Sequence, residues 1–124
     1  MNNDIYVGGQ VVDQWGTFKR NKRDIIKTFK IDNQEYNLKI ILEDFYNKAL
    51  VYTNFFDSTN YILISYNTIV AETKGDKFII YGYYSQTTAK HINAFLEYFG
   101  IKRLSKKEIE QNSDKWLDKK DYIL

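Results

Sequence analysis

A chain of 124 residues, 44% of them hydrophobic and none of them proline, is long enough to bury one core, and no linker divides it; a single domain over residues 1–124 is expected. The absence of cysteine excludes disulfides, thiolate nucleophiles and cysteine-built metal sites, and with no apolar run of membrane-spanning length and no secretory leader pattern the expected location is the cytoplasm. The net charge is only +2, but it is segregated. Lys19 to Lys30 carries six basic residues against Asp24, Lys102 to Lys107 adds four with no acid, and residues 31–101 hold five basic and eight acidic residues. Such asymmetry marks a basic surface, suited to polyanions or acidic proteins.

In chain order, Asn2 to Gly16 reads as a short hairpin or an extended arm, with Ile5-Tyr6-Val7 and Val11-Val12 around Gly8-Gly9 and Trp15 as its anchor, within an N-terminal segment 1–18. Lys19, Arg20, Lys22 and Arg23 then form an exposed basic loop. Ile25–Ile31 and Tyr36–Leu42 alternate around Asp32-Asn33-Gln34 and predict a hairpin, with helix as the competing reading of the second arm. Glu43 to Lys48 is polar without a clear period and fits a short helix or a turn equally. Leu50–Phe56 and Tyr61–Tyr66 flank the turn formers Asp57-Ser58-Thr59-Asn60 and predict two more strands.

The best-marked stretch is Ser65 to Gly100. Thr68–Thr73 and Phe78–Tyr84 are β-branched and aromatic runs around Lys74-Gly75-Asp76-Lys77, a hairpin signal. The period then changes: Thr88, Ile92, Phe95, Leu96 and Phe99 make one helical stripe, which predicts a helix over 87–99. Ser85, Thr87 or Thr88 serves as N-cap, and Gly100 closes the helix in the left-handed conformation. Ser105-Lys106-Lys107-Glu108 matches a capping box, so a second helix begins there and ends near Asn112. Were it to continue, Ile109, Asn112, Trp116 and Leu117 would share a face, but Asn112-Ser113-Asp114 interrupts that pattern. The fold class expected is α+β: an antiparallel sheet of five or six strands, helix 87–99 packed on one face, and a C-terminal helix from 105.

Chemistry-bearing patterns are sparse. His91 is the only histidine, with Thr87 one helical turn away, and no G-x-S-x-G elbow accompanies it. A histidine in this setting reads as structural, bonded to a turn carbonyl, and no catalytic residue is assigned. Paired histidines, H-E-x-x-H, calcium loops and phosphate loops are missing, so neither metal nor cofactor is expected. Aromatics interleaved with lysines remain. Strand alternation places Phe78, Ile80 and Gly82 on one face and Ile79, Tyr81 and Tyr83 on the other, leaving a tyrosine-bearing face for a partner. Tyr81, Tyr83 and Tyr84, with Lys19, Arg20, Lys22 and Arg23, are the candidate partner-binding residues.

Ser65-Tyr66-Asn67-Thr68-x-Val70-Ala71, followed by Tyr83-Tyr84-Ser85-x-Thr87-Thr88-x-x-His91-Ile92-x-x-Phe95-Leu96, resembles a core shared by small uncharacterised proteins of bacteriophages and prophages. The resemblance covers about 35 residues, inside a core of 61–100. It implies a phage accessory protein acting in the bacterial cytoplasm. By analogy of class with anti-CRISPR proteins, such a chain binds and inhibits a host defence protein, such as a CRISPR effector, without catalysis. The alternative is a nucleic-acid-binding module that uses the basic loop 19–30 and the tyrosine-rich hairpin.

Overall fold

The computed structural model describes residues 26–42, 45 and 48–124, together with the backbone of 5–7 and 10–11. Lys19, Arg20, Lys22, Arg23 and Trp15 lie outside the described residues. The chain forms one antiparallel sheet: β1 (Ile5–Val7), β2 (Gln10–Val11), β3 (Thr28–Ile31), β4 (Gln34–Ile41), β5 (Ala49–Asn54), β6 (Tyr61–Ser65), β7 (Thr68–Lys74), β8 (Lys77–Ile80) and β9 (Trp116–Asp118). The spatial order is β2-β1-β3-β4-β5-β6-β7-β8-β9, so β3 to β8 run as a meander of hairpins. Seven strands follow residue 27, more than the five or six expected. The additional strand is β9, where Trp116, Leu117 and Asp118 pair with Ile79, Phe78 and Lys77 instead of continuing a helix.

The turns explain the meander. Asp32 and Asn33 both sit at positive φ (49° and 65°), as a two-residue hairpin turn matched to strand twist demands, and Asn and Asp tolerate that region best. Gly75 (φ 56°) serves the β7–β8 turn. Two bulges reassign faces. At Leu38/Ile40 in β4 the register shifts, so Tyr36 and Leu38 join one apolar cluster while Ile40 packs on the other. At Leu63/Ile64 the shift falls opposite Val70, so adjacent Val70 and Ala71 both face the helices.

The sheet therefore carries two cores. One joins Val51, Leu63, Val70, Phe78 and Ile80 to Ile92, Phe95 and Leu96 of helix α1 (Gln86–Tyr98) and to Ile109 of α2 (Lys106–Asn112). The other, on the opposite face, gathers Phe29, Tyr36, Leu50, Tyr52, Ile62 and Ile64. Burying each such side chain stabilises by roughly 1.5–3 kcal/mol.

Both helices begin and end as their sequences dictate. Ser85 Oγ accepts the Thr88 N–H at 3.0 Å, and at the far end the N–H groups of Gly100 (φ 73°) and Ile101 donate to the carbonyls of Glu97 and Leu96. Phe99 is the C-cap and only half-buried, its ring against Tyr61, Phe95 and Tyr98. Ser105 and Glu108 form the capping box of α2, and the bonds from Ser105 hold the Glu108 carboxyl below its ordinary range. Asn93, buried on α1, receives the Leu104 N–H at 2.7 Å and donates to the Leu104 carbonyl at 3.0 Å, clasping the connection between the helices. A 3-10 turn, Lys119–Tyr122, follows β9, and Ile123 bridges Ile101.

Candidate functional site

Two polar constellations lie inside this apolar frame, one on each side of the sheet. On the helix side, β6 ends at Ser65 and α1 begins beside it. This juxtaposition brings Ser65 Oγ within 2.7 Å of His91 Nδ1 and 3.0 Å of Thr88 Oγ1. The pair has the spacing of a hydroxyl and a base, but His91 is only 1% exposed and Ser65 2%. The Phe45 ring stands edge-on to the imidazole at 4.5 Å, and Tyr66 lies 5.6 Å away. Burial holds the imidazole below its ordinary pKa, because desolvation disfavours the charged ring. The expected partner of His91 was a turn carbonyl; the structure gives it a serine from a neighbouring strand instead. Thr87 points to solvent, so it is Thr88 that joins the cluster.

On the opposite side a chain of side-chain hydrogen bonds crosses β4 to β8. Tyr81 Oη donates to Glu72 Oε1 at 2.6 Å, and Asn60 Nδ2 donates to Glu72 Oε2 at 2.7 Å and to the Thr73 carbonyl at 2.9 Å. Asn60 Oδ1 accepts from Tyr36 Oη (3.1 Å) and Asn54 Nδ2 (3.2 Å), so every hydrogen-bonding site on this buried amide is used. Asn54 Nδ2 also reaches Gln34 Oε1, and Asn54 Oδ1 accepts the Phe56 N–H at 2.8 Å. Desolvation first, and then the hydrogen bond and charge of Glu72, push the Tyr81 hydroxyl far above the ordinary tyrosine range; burial and the Glu72 charge raise Tyr36 as well. Both phenols stay neutral and serve as donors. A cavity of about 150 Å³ lies beside the network, walled by Tyr36, Tyr81, Glu72 and Ile62.

This network fixes the β5–β6 turn. The Phe55 N–H donates to the Glu35 carbonyl at 2.7 Å, Asp57 Oδ1 takes both the N–H and the hydroxyl of Thr59, and Thr59 Oγ1 accepts the Gly75 N–H. On a turn so constrained, Phe55 and Phe56 stand 65% and 67% exposed, their rings packed edge to face at 5.2 Å.

The candidate tyrosines separate. Tyr81 is half-buried against the second cluster, whereas Tyr83 packs on the helix-side cluster with Lys106 5.0 Å over its ring. The expectation that both share one face fails because β8 ends at Ile80, and strand alternation ends with it. Tyr84 is about half exposed, with its hydroxyl raised by burial. The second basic run is engaged locally: Lys102 pairs with Glu108, Arg103 with Glu97, and Lys106 with Tyr83. In sequence, Phe55 and Phe56 read as the end of the strand expected at Leu50–Phe56. The available signal was Asn54-Phe55-Phe56-Asp57, in which two adjacent aromatics cannot both face a core at a strand end.

Among the described residues no group of three or more His, Asp or Glu side chains could hold a metal, and no helix is long and apolar enough to cross a membrane. No curated protein and no solved structure matches the sequence or the fold. A family match does exist, and it spans β3 to α2, well beyond the stretch that carries the phage resemblance. Because that match covers residues 29–111, the chain belongs to DUF8033, a family of unknown function.

Proposed function

We propose that this chain is a non-catalytic binding protein, a phage-encoded accessory protein that engages and inhibits a bacterial defence protein, such as a CRISPR effector, in the host cytoplasm. One contrast carries the reading: the single histidine is sealed from solvent, while two phenylalanines are held in water on a turn braced by buried amides. Exposed aromatics on a pre-ordered turn are economical anchors, since little conformational freedom is lost when they bind. Glu35 and Asp57 lie beside them, with Lys30 opposite Glu35 and Lys74 near Asp57, so the rim of the turn carries both signs of charge. Tyr84 and the basic residues Lys19, Arg20, Lys22 and Arg23 are the further contacts proposed. The phage origin and the defence target rest on the sequence resemblance.

The test is phage plating on bacteria that carry defined defence systems, with and without the protein. Restored plating with one system, abolished by Phe55→Ala/Phe56→Ala at an unchanged melting temperature and retained by His91→Gln, is the expected result. Plating unaffected in every system overturns the inhibitor reading, and loss of function in a stably folded His91→Gln overturns the non-catalytic one. Retention of DNA or RNA that falls steeply between 50 and 200 mM salt, on the order of a thousandfold for six or more phosphate contacts, would support the nucleic-acid module instead.

A further inference from the structure

A groove of about 380 Å³ lies between the C-terminal end of α1 and the turn after β9, lined by Asp76, Phe99, Gly100, Ile101, Asp118, Lys119, Lys120 and Ile123. Its size is within the range of small-ligand sites, roughly 300–1,000 Å³. The floor is apolar: Phe99, Ile101 and Ile123. The backbone donors around it are already engaged, with Lys119 N–H on the Asp76 carbonyl, Leu124 N–H on the Gly100 carbonyl and Ile101 N–H on the Leu96 carbonyl. Polar recognition in the groove therefore falls to side chains.

Two carboxylates and two ammonium groups line it, and Lys77 beside Asp118 adds a third cation. Asp118 is paired with Lys77 and also feels the Lys120 charge, while Asp76 acts on Lys119 from beyond ion-pair distance. Lys119 is placed by its turn with Nζ 5.6 Å from the centre of the Phe99 ring, and no carboxylate among the described residues lies within ion-pair distance of it. Burial depresses its pKa and the nearby Asp76 charge offsets this only in part, so its ammonium has lost water with no ion pair among the described residues to replace it. The two lysines supply donors for one carboxylate, while Asp76 and Asp118 on the rim oppose a doubly charged group such as a phosphate.

We propose that this groove binds a small aromatic carboxylate, its ring against Phe99, Ile101 and Ile123 and its carboxylate on Lys119 and Lys120. The site is separate from the Phe55–Phe56 turn and does not depend on the inhibitor reading. The probe is 3-phenylpropionate, titrated into the ¹⁵N-labelled full chain and followed by amide shifts, with the neutral 3-phenylpropanamide as control. Saturable shifts grouped at Gly100, Ile101, Lys119 and Lys120, with a roughly millimolar Kd for a ligand of this size, are expected. The amide and the Lys119→Gln variant are each expected to bind about tenfold more weakly, and Lys119→Arg to keep most of the affinity. Lys107→Gln, an exposed lysine outside the groove lining, leaves binding unchanged. Equal binding of acid and amide by the unmodified protein, shifts grouped elsewhere, or no saturable shift overturns the proposal; the first of these needs no variant that folds.

Discussion

Asn60 Nδ2 donates to Glu72 Oε2 at 2.7 Å, which ties the end of the β5–β6 turn to a carboxylate on β7. The same amide accepts from Tyr36 and Asn54, so one side chain joins the strand network to the turn that displays Phe55 and Phe56. Replacing it removes the partner of Tyr36 Oη and of Glu72 Oε2, while Asn54 Nδ2 keeps Gln34 and Glu72 Oε1 keeps Tyr81; each group left unpaired costs about 1–3 kcal/mol. Asn60→Ala is therefore expected to lower the unfolding free energy by about 2–4 kcal/mol, read from the urea midpoint. A shift below about 0.5 kcal/mol, the size of an ordinary surface substitution, would show that the network does not stabilise the fold.

His91 gives a pH dependence with a defined sign. Its folded-state pKa lies below the ordinary histidine value of 6.5, so at acidic pH the unfolded chain binds more protons than the folded one. The stability it contributes is complete above pH 6.5 and falls as pH drops from there towards the lower folded value, with a slope of at most about 1.4 kcal/mol per pH unit. The melting temperature of the wild type is expected to fall between pH 7.5 and 5.5 more steeply than that of His91→Gln. Parallel profiles would contradict the burial of the imidazole.

Thr73 is fully buried on β7, and its hydroxyl has no hydrogen-bond partner among the described residues. Thr73→Val keeps the shape and removes the unpaired oxygen, while the Thr73 carbonyl still receives Asn60. A gain of roughly 1 kcal/mol is expected in chemical denaturation. A loss of stability would mean that the hydroxyl is hydrogen-bonded in solution.

For the helix, Phe95 is completely buried between α1 and the sheet, so Phe95→Ala opens a cavity and is expected to cost about 3–5 kcal/mol. Gly100→Val acts by a different route. Among the described residues nothing lies within 4 Å of a Cβ placed at Gly100, so its cost is the left-handed backbone at φ 73°, about 1–2 kcal/mol. An unchanged denaturation midpoint in either variant would contradict the packing or the cap described.

Local chemistry was sufficient for much of this. The sequence alone determined the α+β class, the turns at Asp32-Asn33, Asp57–Asn60 and Gly75, both helices, the Ser105 cap and the Gly100 stop, because each depends on residues within a few positions of one another, whereas the structure chose Ser85 from the three candidate caps of the first helix. The tertiary structure decided the rest. Strand β9 forms only because Trp116–Asp118 meets the edge of β8 nearly forty residues earlier in the chain, and the bulges at Leu38/Ile40 and Leu63/Ile64 break an alternation that reads as continuous. Ser65 met His91, and Asn60 met Glu72 and Tyr36, through pairings of strands and helix that no local pattern encodes. Side-chain hydrogen bonds of that kind need distances set by the whole sheet, and a sequence pattern records which face a residue takes without recording whom it meets there.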